Sequence, residues 1–172
     1  LQLAVNTASR TVATKSSIPA LEGLLLEGDD VLTLSGYNMQ TGIRTHFPVE
    51  AAEDGELVVN ARLIGEILRR LPDDVVTFTA DDKFLIHLSC GDADFDIMGL
   101  SAADFPELPE VEEKYSVQIA EKTLKSMIQQ TSFAVSTNEA RPVHMGSLFE
   151  VCADGLTVVS VDGFRLALRK EP

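Results

Sequence analysis

The chain repeats itself. Sliding the sequence along itself by 123 residues lays Ile18–Glu27 (IPALEGLLLE) over Arg141–Glu150 (RPVHMGSLFE), so that Pro19, Gly23, Leu25 and Glu27 meet Pro142, Gly146, Leu148 and Glu150. At the same offset Leu1 meets Leu124, Ser9 meets Ser132, Val12 meets Val135 and Thr14 meets Thr137. One inserted residue later, Leu32-Thr33 meets Leu156-Thr157. A helix, a Pro, a Gly and a hairpin recurring in one order mark a duplicated folding unit, and whatever architecture the first copy takes, the second must share. The copies differ in extent. Pro172 falls on Pro48, leaving no second counterpart of Val49–Met98, and a strand-like run at Tyr115–Ile119 precedes the second helix while nothing precedes Leu1. The chain is therefore expected to begin inside its first unit and to stop about halfway through its second, with apolar strand edges open.

Periodicity supplies the elements. Leu1, Val5, Ala8 and Val12 stand at helical spacing and predict a helix over Leu1–Ala13. Leu24–Glu27 and Val31–Ser35, divided by Gly28-Asp29-Asp30, predict a hairpin, and Thr41–Val49 a further strand. Asn60 can cap a helix running to Leu71, with Leu63, Ile64, Ile67, Leu68 and Leu71 as its apolar face and Pro72 ending it. Val75–Thr79, Phe84–Ser89 and Asp94–Met98 read as strands between turn clusters. Ser101–Glu113 carries Pro106, Pro109 and five acidic residues and reads as a linker. Beyond it a strand at Tyr115–Ile119, a helix at Glu121–Val135 and strands at Ser147–Val151 and Leu156–Val161 repeat the opening order. The class is α+β with antiparallel strands, divided into units at 1–109 and 110–172.

Composition narrows the chemistry. Of 172 residues 45% are hydrophobic, enough for a core without staples, and Cys90 and Cys152 lie too far apart in sequence for a C-x-x-C motif, which fits a reducing cytoplasm. No apolar run is long enough to span a membrane, and no membrane partner is expected. The net charge of −13 argues at first against nucleic acid, but its distribution does not. Seven of the 14 basic residues, Arg10, Lys15, Arg62, Arg69, Arg70, Lys122 and Lys125, fall in or just after the three predicted helices, opposed there by Glu66 and Glu121 alone. Basic helices on an acidic body are the electrostatic footprint of a protein that reads the DNA backbone. The plainer reading, that Lys and Arg are good helix formers on solvated faces, fits one helix better than three.

With SSIPAL (Ser16–Leu21), LSAADFPELP (Leu100–Pro109), the Arg141-Pro142 segment and DGFRLAL (Asp162–Leu168), the whole chain resembles the bacterial sliding-clamp family, the beta subunits of DNA polymerase III. The resemblance implies the DNA clamp fold: three such units form a crescent, two crescents close into a homodimeric ring, helices line the hole and strands form the outside. This chain would hold the first unit, less its opening strand, and the start of the middle one. The implied function is to encircle duplex DNA and tether the polymerase without making or breaking a bond, and no cofactor is expected. By similarity Lys15, Asn138 and Arg141 touch DNA, with Arg10, Arg69, Arg70 and Lys125 joining them from the basic helices. After Arg141, where some members carry aromatic residues, this chain has Pro142 and Val143.

The resemblance also implies a pocket for short peptides of the polymerase III catalytic subunit, the clamp loader and other proteins bearing clamp-binding motifs. Its residues here are His144, Val161, Gly163, Phe164, Arg165 and Leu166, with Phe164 replacing a polar residue of some relatives. Val161 and Leu166 can receive apolar side chains, and Gly163 permits close backbone approach. A third unit would supply the opposite wall.

Two rival readings stand beside this one: a repeated adaptor that binds only proteins, and a small hydrolase. For the second, His87 and Cys90 are the nearest candidates, but in a strand they point to opposite faces and the sequence offers neither a third partner. Asp162-Gly163 reads as a strand-ending turn rather than a catalytic Asp. No phosphate loop of the G-x-x-x-x-G-K-[ST] kind occurs.

Overall fold

In the computed structural model, which describes residues 1–50, 54–112, 117–153 and 155–172, the chain divides into two units, Leu1–Glu110 and Val111–Pro172. The first opens on α1 (Gln2–Ala8), which buries Ala4, Val5 and Ala8 and tightens into a 3-10 turn over Ser9–Thr11. A second 3-10 turn, Pro19–Glu22, begins on a proline whose fixed φ suits a first helical position. It feeds β1 (Gly23–Gly28), which joins β2 (Val31–Tyr37), β3 (Gly42–Pro48) and β4 (Gly55–Asn60) in an antiparallel sheet of order β3-β2-β1-β4. At the end of β4 the Asn60 side chain accepts the N–H of Leu63 at 2.9 Å and starts α2 (Ala61–Leu68). A second sheet, β5 (Thr77–Ala80), β6 (Leu85–Cys90) and β7 (Ala93–Met98), has order β5-β6-β7.

One core joins these layers. Ala4, Val5 and Ala8 of α1 meet Ile64, Ile67 and Leu68 of α2, Leu24, Leu34 and Val59 of the first sheet, and Ile86, Leu88 and Ile97 of the second. Every third or fourth residue of α2 points inward, which leaves Arg62, Leu63, Glu66, Arg69 and Arg70 outside.

In the second unit α3 (Glu121–Thr131) is followed by 3-10 turns at Ser132–Ala134 and Pro142–Met145, then by β8 (Leu148–Cys152), β9 (Gly155–Val161) and β10 (Leu166–Glu171) in the order β10-β9-β8. Its core is small, built from Met127, Leu156 and Val158 with Ile119 against them. The 3-10 turns at Ser9–Thr11 and Pro19–Glu22 recur at the 123-residue offset, and β9 repeats β2 one residue further on. The repetition read in the sequence is a repetition of local backbone structure.

Several boundaries differ from expectation. The helices expected over Leu1–Ala13 and Glu121–Val135 end at Ala8 and Thr131, because a 3-10 turn closes each and Val12 and Val135 are extended. α2 stops at Leu68 rather than Leu71, because the chain tightens there into an i→i−3 turn, Arg70 N–H donating to the Ile67 carbonyl at 2.9 Å, ahead of Pro72. β4 was not expected: Leu57-Val58-Val59 is a short apolar run beside a helix cap. Ser101–Leu108 is no free linker, because Phe105 is buried with Tyr37 and Val58 on the first sheet and Leu108 packs beside them. Of the strand expected at Tyr115–Ile119, Tyr115 and Ser116 lie outside the described residues, and Val117–Ile119 belong to no strand. A strand needs a ladder partner, and among the described residues β8, β9 and β10 pair only with one another.

Two glycines make opposite predictions. A Cβ on Gly36 would overlap the Ala8 carbonyl oxygen, so Gly36→Ala is expected to cost about 1–3 kcal/mol by lifting α1 from β2. Inside α2 a Cβ on Gly65 would have nothing within 4 Å, so Gly65→Ala is expected to add about 0.5–1 kcal/mol. Urea denaturation of the two variants measures both.

Candidate functional site

The residues expected to receive a peptide are built on the β9–β10 hairpin. Antiparallel pairing sets Val161 opposite Leu166. The four residues between them form a turn organised by Asp162, whose carboxylate accepts the backbone N–H of Phe164 at 2.9 Å and of Arg165 at 3.0 Å, and Nε–H of Arg165 at 2.8 Å. Those two backbone donors, and after them the Arg165 guanidinium, hold the Asp162 carboxyl below the usual carboxylate range. Gly163 takes φ +96°, in the region that favours glycine. The turn presents Phe164 fully to solvent and leaves Leu166 exposed. Val161, Gly163, Phe164, Arg165 and Leu166 line a shallow pocket of about 240 Å³. His144 is absent from its lining; it sits on the Pro142–Met145 turn, where its carbonyl accepts the N–H of Ser136 at 2.8 Å.

The residues expected to meet DNA lie on helices or just beyond them. In the first unit Arg10, Lys15, Arg69 and Arg70 are exposed, as is Arg62, whose Nε–H reaches Glu66 at 3.0 Å across one helical turn. A hydrogen bond and charge from Arg62, then the charges of Arg70 and Arg69, hold the Glu66 carboxyl low. In the second unit Lys122, Lys125, Asn138 and Arg141 are exposed. The Asn138 side chain accepts the N–H of Ala140 at 3.0 Å and its carbonyl the N–H of Arg141 at 3.2 Å, so Asn138 shapes the turn that carries Arg141. Among the described residues Arg10, Lys15, Arg69, Arg70, Lys122, Lys125 and Arg141 have no carboxylate within ion-pair distance.

Residues 1–109 match the model of the DNA polymerase III beta subunit N-terminal domain, and residues 118–172 that of the central domain. The chain belongs to the DNA polymerase III beta subunit family. It is 35% identical to the beta sliding clamp of Halalkalibacterium halodurans over 98% of this chain and 47% of the relative, and 34% identical to that of Bacillus subtilis over 94% and 45%. Among solved structures it superimposes on the Bacillus subtilis sliding clamp with TM-score 0.92 at 32% identity, and on a putative beta subunit from Eubacterium rectale with TM-score 0.94 at 35% identity. In both it covers 99% of itself and 47% of the neighbour. The chain thus spans about half the length of the beta subunits it matches.

His87 and Cys90, the residues that would have favoured a hydrolase, do point to opposite faces. Cys90 is buried, and His87 stands on the exposed face of β6. His87 does have partners, which the sequence did not reveal: Nδ1 lies 2.8 Å from Asp96 and Nε2 3.5 Å from Asp94, both on β7. An imidazole between two carboxylates on an open strand is a cross-strand clip, not a nucleophile's base. Phe133 was also missed. Its ring lies 5.7 Å from the guanidinium carbon of Arg165, and in sequence it is merely an aromatic residue at a helix end.

The clip is pH-dependent. The hydrogen bond to Asp96, then the charges of Asp96 and Asp94, raise the His87 pKa. A raised pKa means the contribution is full below the unfolded-state value, about 6.5, and fades as pH rises through the folded-state value. The melting temperature of wild type minus that of His87→Gln is expected to be larger at about pH 5.5 than at about pH 8.5; a pH-independent difference would remove the clip.

Proposed function

We propose that the chain is part of a sliding clamp, the processivity factor of the bacterial replicative polymerase, with residues 1–109 forming the first clamp domain and 110–172 the start of the middle one. At full length it would close as a homodimer around duplex DNA. The observation that carries this reading is the set of exposed cations without carboxylate partners among the described residues, placed on or just after helices in both units of an acidic protein. Phosphates would supply the missing counter-charge. Long, solvated Lys and Arg side chains give contacts that are weak and screened by salt, and such contacts hold DNA without fixing sequence or position. Arg10, Lys15, Arg69, Arg70, Lys125 and Arg141 would act in this way, with Asn138 setting the turn that presents Arg141.

Nothing in this role requires catalysis, and ATP-driven opening of the ring would come from a clamp loader. The β9–β10 hairpin would be one wall of a pocket for peptides of the polymerase III catalytic subunit, the clamp loader and other clamp-binding proteins. Val161 and Leu166 supply the apolar floor, and Asp162 the turn that keeps it open. With a third unit as the opposite wall, the half-site alone binds such peptides weakly. The protein would work in the cytoplasm, with the replicative polymerase.

Reversing Arg69, Arg70 and Lys125 to Glu in the full-length protein is expected to shorten its lifetime on nicked circular DNA severalfold and to weaken the dependence of that lifetime on salt. Retention equal to wild type would instead favour a protein-only adaptor.

A further inference from the structure

Arg165 is an exposed side chain held from two directions. Its Nε–H donates to Asp162 at 2.8 Å, and its guanidinium lies over the ring of Phe133, 5.7 Å from the centroid. A solvent-facing ion pair alone holds a long side chain loosely. The aromatic ring adds a second attraction, from an element other than the one that carries the carboxylate. Together the carboxylate and the ring restrain the guanidinium. The terminal amino groups of Arg165 donate to nothing among the described residues, so they remain free donors at the rim of the pocket. Phe133 comes from a different element, the 3-10 turn after α3, and is 58% exposed, so filling the core does not account for it. The cation and the ring thus add to the packing of α3 and its closing turn against the hairpin strands.

We infer that Phe133 is a positioning residue for the peptide pocket, holding the Arg165 guanidinium so that its free N–H groups meet an oxygen of the bound peptide. The inference rests on the pocket reading above. A guanidinium already restrained loses less freedom when it binds, and its fork of donors matches a carboxylate or a backbone carbonyl. Phe133 itself need not touch the peptide.

The test uses the full-length protein and two fluorescein-labelled hexapeptides, one carrying Leu and Phe side chains around a single Asp, the other with Asn in place of that Asp. Phe133→Leu keeps apolar bulk without the ring and is expected to weaken binding about twofold to fivefold with the melting temperature unchanged. Phe133→Trp keeps a ring and should keep the affinity. In an Arg165→Ala background Phe133→Leu should have no further effect, because Phe133 acts through Arg165. If the loss on Phe133→Leu is confined to the Asp peptide, the oxygen is the side-chain carboxylate; if it is equal for both peptides, the oxygen is a backbone carbonyl. Unchanged affinity in Phe133→Leu, or an equal loss with and without Arg165, overturns the inference and leaves the pocket standing. Failure of the wild-type protein to bind either peptide overturns the pocket reading, and this inference with it.

Discussion

The seam where a helix lies against its sheet sets the rest of the structure. In the first unit α1 approaches β2 so closely that residue 36 has room for no side chain, and Thr11 joins the two elements by placing its hydroxyl 3.1 Å from the Ala8 carbonyl and 2.9 Å from that of Gly36. The second unit solves the same problem with the bulk moved. Thr131 stands where Ala8 stood, Ala134 replaces Thr11, and Ser160 replaces Gly36. All three are buried, with the Thr131 hydroxyl donating to the Met127 carbonyl at 2.9 Å and Ser160 paired with Ser147 at 2.7 Å. Each seam is made of small residues and of hydroxyls that find hydrogen-bond partners, as buried polar groups must. The duplication therefore keeps small or hydroxyl-bearing buried residues at the helix–sheet seam while changing which residue stands at each position.

From that seam follows the segregation of charge. A helix that buries one face turns its long polar side chains outward, and here those are mostly Arg and Lys: Arg62, Arg69 and Arg70 on and after α2, Lys122 and Lys125 on α3. The Arg62–Glu66 pair neutralises one of them. On the proposed function the remainder hold a polyanion loosely, and the hairpin gives the opposite behaviour. There Asp162 accepts three hydrogen bonds and fixes a turn whose apolar and cationic groups stay exposed. Solvated cations allow sliding, while a rigid turn permits a specific grip.

What the sequence revealed and what it hid follow from the range of the interactions. Local chemistry was readable: Asn60 as a cap, the turn after Gly28, the glycine turn at Gly163, and the inward face of α2 except Leu63, which was expected inside and is exposed. Interactions between distant segments were not. Phe105 and Leu108, each close before a proline, look like linker residues until a sheet face is there to cover them, and β4 was hidden because Leu57–Val59 is too short to show a period before the helix cap begins. The pocket residues were reached through family resemblance. Phe133 was not, since nothing at an aromatic helix end announces an arginine 32 positions later in the sequence. His87 lacked partners on paper because Asp94 and Asp96 come to it only through the register of β6 and β7.

The proposed function is topological: this chain would be part of a ring that holds DNA by enclosing it. The most direct test loads the full-length protein, with its clamp loader, onto a nicked circular plasmid, purifies the complex by gel filtration and then cuts the plasmid once. Enclosure predicts that the protein stays with the circle and is lost when the DNA becomes linear. Equal retention on circular and linear DNA, or no retention on either, would contradict it.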